Sequence, residues 1–380
     1  MEDLLSSWLL QRLRIAHGGA VTVTKSETDP SPSQTAPPPS RRGAPTLVDV
    51  AREAGVSVST AGRVLRDGGW PVDPLLRERV RQTALQLGYV PNVLARTLRS
   101  GGTALVGLVA GNMLDPYYGE IAEAVTRHAE AAHPMMAMVC NMQRDPLLEL
   151  KYCRQLWEHR VAGLILAGGG FDQLTHRDQL AAIVEQMKKS GVVVTLLSPR
   201  DLDAPQFCVD NRRVGEMAAK ELIKHGHRRV GIAIGRVQNL VRRQRLEAMI
   251  ATFDAAGVRH TVLEPTEPGA PEIAVSDLLA ANRDITGLVA STHMISIGII
   301  NEVQRVGLSV PQDISVVAIG NAKLLEWSTP RLTHIDLNLE ACGRAALDFI
   351  AARVSGAAQP VPPTIQPTLV LGDSVRDVTP

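Results

Sequence analysis

Residues 46–65 read TLVDVAREAGVSVSTAGRVL. Thr46 and Asp49 have the spacing of a capping box, ahead of an apolar stripe of Leu47, Val50, Ala51 and Ala54. Gly55 is placed to stop that helix, because glycine takes the left-handed conformation of a helix C-terminus without steric cost. Ser57 then caps a second helix running to about Leu65. A helix, a glycine turn and a Ser-capped helix make the helix-turn-helix pattern, whose second helix enters the DNA major groove with its N-terminal residues toward base edges. Those residues are Ser57, Val58 and Ser59, with Gly62 and Arg63 one turn on. Gly62 cuts against the pattern, since a mid-helix glycine costs about 1 kcal/mol relative to alanine. A plain three-helix bundle is the competing reading of this stretch.

Downstream, RDGGWPVDP reads as a loop. Pro74 sits in the first turn of a third helix carrying Leu76, Val80, Ala84 and Leu87 and ending at Gly88. PNVLARTLRSGG follows, a segment of one or two helical turns that needs a partner to order it. From Ala104 near-continuous apolar runs alternate with helical stretches: ALVGLVAG, MMAMVCNM, GLILAGG, VVVTLLS, RVGIAIG, TGLVAS and ISVVAIG. Helices are expected between them near 117–132, 146–158, 177–190, 212–225, 240–256, 271–281 and 294–306. Such strands belong to parallel sheets covered on both faces. They are too many for one compact sheet, so two doubly wound lobes with a cleft between them are expected. The fold class is thus α/β: an N-terminal all-α helix-turn-helix domain plus a two-lobed core of parallel sheets, like that of periplasmic binding proteins.

Charge is segregated. Residues 41–100 hold ten arginines, no lysine and five acids, a net +5 in a chain whose total is +1, which leaves −4 for the rest. A local basic domain suits a nucleic-acid partner. The four cysteines, Cys140, Cys153, Cys208 and Cys342, are widely spaced with no CxxC pair, which argues against a zinc site or disulfide framework and for reduced cytosolic thiols. No run approaches the roughly 20 apolar residues of a membrane span. MEDLLSSWLLQRLRIA makes a poor signal peptide because Gln11, Arg12 and Arg14 interrupt it. Residues 27–45, rich in Pro and Ser, read as a disordered linker.

TLVDVAREAGVSVSTAGRVL and VRQTALQLGYVPNVLARTLRSGGTALVGLV resemble the lactose-repressor (LacI/GalR) family of bacterial transcription regulators. The resemblance continues through HRVAGLILAG, VDNRRVGEMAAKELIKHGHRRVGIAIG, GLSVPQDISVVAIGN and STPRLTHIDLNLEACGRAA, over about residues 46–353. Five segments are expected: outside the resemblance, a disordered extension and linker (1–45) and a C-terminal tail (356–380); within it, the DNA-binding domain (46–90), a hinge helix and linker (91–103) and a two-lobed effector-binding and dimerisation core (104–355). The resemblance implies base contacts from Val58, Ser59, Gly62 and Arg63, with Ala95 and the wedging Leu98 in the minor groove. Phosphate contacts fall to Thr46, Ser57, Thr60 and Asn92. The implied partners are double-stranded operator DNA, read as a pseudo-palindrome by a homodimer, and a small-molecule effector. No membrane, cofactor or metal is expected, and the location is cytoplasmic, at the nucleoid.

The chain departs from the family pattern in two places. Ala61-Gly62 stands where the family usually has Val-Ser; Ala61 is expected to face the first helix and Gly62 the DNA, through drift or through altered contacts. In the effector cleft the resemblance implies Tyr117, Ser198, Arg245, His293 and Asn321 as ligand-binding residues, yet the family's cleft carboxylates are replaced at Ser198, Thr292-His293 and Ile319-Gly320-Asn321. Arg200, Arg236, Arg242 and Arg243 are further candidates near the cleft. Lost acids beside retained arginines suit an anionic ligand, a sugar acid or sugar phosphate, because guanidinium forks pair with carboxylate and phosphate. A cleft that binds nothing is the rival reading.

Other signals carry less. AGGGF (167–171) lacks the spacing of a phosphate loop, HGHRR (225–229) offers a lone H-x-H, and no G-x-S-x-G elbow marks a hydrolase. No enzyme is expected. The alternative function is a sugar-binding protein of the periplasmic-binding fold without DNA work.

Overall fold

The computed structural model describes residues 45–65, 71–90, 105–168, 174–235, 240–263, 279, 282–320, 323–358 and 361–378. The chain divides into two compact units, residues 1–91 and 92–380.

The first unit is a three-helix cluster: α1 (Leu47–Glu53), α2 (Val58–Val64) and α3 (Pro74–Leu87). Each helix begins on the cap its sequence offers. Thr46 and Asp49 form a reciprocal capping box on α1, Ser57 Oγ accepts from Thr60 N on α2, and Asp73 caps α3 with Pro74 behind it. Gly55 and Gly88 end α1 and α3 at φ +65° and +67°. Val50, Ala51, Ala54, Ala61, Val64, Val80 and Ala84 make the small core.

The second unit has two lobes. In the first, β1 (Leu105–Ala110), β2 (Met136–Asn141), β3 (Gly163–Ala167) and β4 (Val193–Leu196) form a parallel sheet in the order β2-β1-β3-β4. The helices α4 (Pro116–Ala132), α5 (Pro146–Glu158) and α6 (Leu174–Lys189) connect its strands. In the second lobe, α7 (Asn211–Lys224), β5 (Arg229–Ala233), α8 (Leu240–Ala255), β6 (Arg259–Leu263), β7 (Gly287–Ala290), α9 (His293–Arg305), β8 (Ser315–Ile319), α10 (Lys323–Glu326) and β9 (Thr333–Asp336) follow. The chain then returns to the first lobe as α11 (Leu339–Ser355), packed on α4, β3 and β4, before β10 (Thr368–Val370) rejoins the second sheet. That sheet runs β10-β9-β8-β7-β5-β6, parallel except for β10.

Chain thus passes between the lobes three times, and a continuous apolar core follows it. Val106, Ile121 and Val125 of one lobe share a cluster with Val230, Phe253 and Val317 of the other, with Phe207 and Phe349 meeting at 5.5 Å between ring centres. Strands β3, β7 and β8 are buried at every residue, as unbroken apolar runs covered on both faces require.

Three expectations need correction or limit. Residues 356–380 are not a tail: β10 pairs with β9, Ser374 is fully buried with its hydroxyl donating to Val316 O at 2.6 Å, and Val378 N donates to His225 O. Strands β6, β9 and β10 and helix α11 escape the alternating pattern, because RHTVL and THID are short and polar. The helix near 271–281 lies outside the described residues apart from Leu279, as do the extension, the hinge segment and Gly169–Phe171 of AGGGF.

Candidate functional sites

In the first unit, Ser57, Val58, Ser59 and Arg63 are exposed and Thr60 is half-buried. Two hydroxyl contacts of 2.8 Å tie Ser57 Oγ to Ser59 and Thr60, so the three hydroxyls cluster at the start of α2. Thr46 is exposed, but its hydroxyl donates to Asp49 Oδ2 at 2.6 Å within the capping box. Those bonds and the neighbouring Arg52 hold the Asp49 carboxyl below its ordinary range.

Ala61 faces inward, fully buried as expected. Gly62 does not meet its expectation: it is buried too, between Ala61 and the exposed Arg63. Without a side chain, Gly62 can offer DNA only its backbone. Ala95, Leu98 and Asn92 lie outside the described residues.

In the second unit, charged groups from both lobes meet around Asp115, the N-cap of α4. Its Oδ1 accepts from Tyr117 N at 3.1 Å, and its Oδ2 accepts from Arg144 at 2.9 Å. His293, the first residue of α9 in the other lobe, brings Nε2 to 3.2 Å from Oδ1, close enough for an ion pair but without hydrogen-bond alignment. Burial pushes the Asp115 carboxyl up, but His293, the Tyr117 amide and Arg144 outweigh it and hold it below the usual carboxylate range. His293 thus stands where expected, and its partner is a protein carboxylate in the facing lobe.

Arg245 is buried, and its Nε donates to Asn211 Oδ1 at 2.9 Å. Burial lowers its pKa to about 10, with Tyr117 acting to raise it and Arg242 to lower it further. The Arg242 guanidinium is also pushed down by burial and then by Arg144, while Tyr118 and Asp115 act the other way. Tyr117 lies edge-on to Tyr118 at 4.9 Å, and burial pushes its phenol well above the ordinary range. Arg144, Arg242, Arg245 and His293 are thus linked electrostatically, directly or through Tyr117 and Tyr118, with Asp115 the carboxylate among them.

The remaining candidates divide. Ser198 is buried and its hydroxyl donates to Gly168 O at 3.4 Å. Arg243 is exposed, and Arg236 and Asn321 lie outside the described residues. Arg200 is held by a buried partner, its Nη1 2.7 Å from Oε1 of the fully buried Glu149, whose Oε2 is 3.1 Å from His176 Nε2, and it still acts on Tyr118 alongside Arg144 and Arg242. A fully buried carboxylate demands a cation, and Arg200 supplies it inside the lobe. Arg144 and Asn211 were not legible beforehand. Arg144 reaches Asp115 because Gln143 and Arg144 take φ values of +53° and +56°, a conformation that non-glycine letters do not advertise.

A family model for bacterial regulatory proteins of the lacI family matches residues 46–92, and one for a periplasmic binding protein-like domain matches residues 219–375. The HTH-type transcriptional regulator DegA of Bacillus subtilis is 27% identical over 310 residues, covering 78% of this chain and 88% of its own. The HTH-type transcriptional repressor PurR of Edwardsiella ictaluri is 27% identical over 340 residues, 87% of this chain and 97% of its own. Among solved structures, the Lac repressor dimer bound to operator and the anti-inducer ONPF superposes with a TM-score of 0.74 at 20% identity, over 87% of this chain and 99% of that one. A LacI-family transcriptional regulator from Silicibacter pomeroyi superposes with a TM-score of 0.71 at 25% identity, again over 87% and 99%.

Proposed function

The chain is a transcription regulator of the lacI family, with that family's DNA-binding domain and a periplasmic binding protein-like effector domain, and we propose that it represses genes from a pseudo-palindromic operator as a homodimer. The observation carrying this reading is the exposed surface at the start of α2, where Val58, Ser59 and Arg63 stand beside the hydroxyls of Ser57 and Thr60. Arginine there suits bidentate pairing with guanine O6 and N7, and the hydroxyls suit phosphate oxygens. Ala95 and Leu98 are assigned to the minor groove and Asn92 and Thr46 to phosphates, by resemblance. The Lac repressor, which shares the fold, is seen as a dimer on its operator, which supports the dimer here. The site of action is the cytoplasm, at the nucleoid. Among the described residues no helix is long and apolar enough to cross a membrane. The family is one of regulators and not of enzymes.

The cleft ligand proposed is an anionic carbohydrate, a sugar acid or sugar phosphate. Arg144 and His293 stand at the Asp115 carboxylate, with Arg242 and, beside it, Arg245 near by, and an anionic ligand would neutralise this excess of cations with paired hydrogen bonds. Tyr117 offers an apolar wall, and Asn321 and Ser198 complete the candidate set. Genome-wide footprinting of the purified protein, followed by a thermal-shift screen with sugars and their acids and phosphates, tests both parts. Footprints at two-fold sites and stabilisation by acids are expected. Absence of footprints removes the regulator reading of α2, and stabilisation by neutral sugars alone removes the anion.

A further inference from the structure

Histidines meet carboxylates at several places among the described residues, and most of these meetings have a structural explanation. His176 shares Glu149 with Arg200, whose fixed charge already occupies the position of a cation. His225 Nδ1 stands 2.7 Å from Asp377 Oδ1 and Nε2 3.1 Å from Glu221 Oε1, so its two nitrogens meet different carboxylates and share no common ligand atom. His128 and His133 behave differently. Both direct Nε2 at the same atom, Oδ1 of Asp348, at 2.6 and 2.8 Å, and the three donor atoms lie within 4.8 Å of one another.

The fold builds this convergence. α4 and α11 close on one another at Gly343, where an added Cβ would stand 3.1 Å from Val125 Cγ2 and 3.4 Å from Ala124 Cβ. About one turn further along each helix come His128 and Asp348. His133 follows the end of α4 in extended conformation, at φ −133° and ψ 141°. The two imidazoles pack edge to face at 5.3 Å and 88°, which fixes their directions. The histidine side chains are 14% and 23% exposed and that of Asp348 is 45% exposed, so two anchored nitrogens face a carboxylate open to solvent.

We propose that His128, His133 and Asp348 bind a divalent transition metal of the zinc, cobalt or nickel class, with water completing the coordination. Two imidazoles and a carboxylate are a borderline donor set suited to these ions, and three protein ligands leave an open position. Ligands at about 2.0–2.2 Å from a tetrahedral centre stand about 3.3 Å apart. Each N–O pair must therefore open by roughly half an ångström, and the half-exposed Asp348 side chain has room to make that movement. The bound ion ties α4 to α11, the helix whose two ends lead into segments crossing to the other lobe.

The test uses the full-length chain without an affinity tag, freed of metal by chelation and titrated with Co²⁺ and then Zn²⁺. One equivalent of Co²⁺ per chain is expected, with visible ligand-field bands, without thiolate charge-transfer absorption, and displaced by Zn²⁺. Asp348→Asn and His133→Gln should each weaken binding at least tenfold while leaving the metal-free circular dichroism unchanged. Zn²⁺ at a hundredfold excess over Kd should raise Tm by roughly 5–10 °C in the parent and not in the variants. Should one variant fail to fold, the other decides. Failure to bind one equivalent, binding of full strength in the folded variants, or a thiolate signature overturns the proposal.

Discussion

Arg63 stands exposed on α2 beside a buried neighbour, Gly62, and behind the hydroxyl cluster of Ser57, Ser59 and Thr60. Arg63→Ala tests its assignment to a base edge. Operator affinity should fall by about 1–3 kcal/mol, with relaxed preference at one base pair per half-site, as read by binding to a library of operator variants. Ser57→Ala should act on stability as well as affinity, because the same hydroxyl caps α2 and is assigned to a phosphate. Losing the cap to Thr60 N costs about 1 kcal/mol of stability, visible as a lower Tm of residues 45–90 before any effect on sequence preference. The position of Gly62 in α2 was legible in the sequence, and its burial was not.

At the scale of elements, buried partners decide what a helix or strand can do. Glu149 on α5 is fully buried between Arg200 and His176. Burial pushes its carboxyl up, but Arg200 and His176 outweigh it and keep it ionised below the usual range. Glu149→Gln leaves the Arg200 guanidinium buried without its counter-charge and should cost about 3–5 kcal/mol, measured by chemical denaturation of the core. Glycine plays a comparable part on β3. A Cβ at Gly163 would run into the side chain of Ile350 on α11, itself fully buried. Gly163→Ala should therefore destabilise the first lobe by about 1–3 kcal/mol despite glycine's poor strand propensity, again by denaturation. The buried strands were legible as apolar runs. The edge strand β6 was not, because RHTVL is half-buried and polar at its start.

At the scale of the whole molecule, two lobes and three crossings create groups that no single segment carries. His227 illustrates the consequence for pH. It is fully buried, with Nδ1 at 2.8 Å from Thr286 Oγ1, and burial, followed by Arg376 from the returning C-terminal segment, lowers its pKa from 6.5 to about 4. Between those values the unfolded chain takes up a proton that the folded core refuses. Stability must then fall as pH drops from 6.5 toward 4, by up to about 3 kcal/mol, and His227→Gln should flatten that slope in denaturation curves taken across the window. Operator binding belongs to this scale as well. Phosphate contacts release counterions, so affinity should fall linearly on a log–log plot against salt.

The sequence by itself determined what depends on neighbours a few residues apart: the caps at Thr46, Ser57 and Asp73, the stops at Gly55 and Gly88, the apolar strands and the basic first unit. Those signals are local because helix caps, turns and strand periodicity are set by adjacent backbone. Tertiary structure alone decided which charges meet. It buried Arg200 against Glu149 and kept Arg144 with Asp115, it drew residues after 355 into the second sheet, and it set His128 and His133 on Asp348 across 220 and 215 positions. Such pairings depend on how helices and sheets pack in space, and spacing along the chain carries no trace of them.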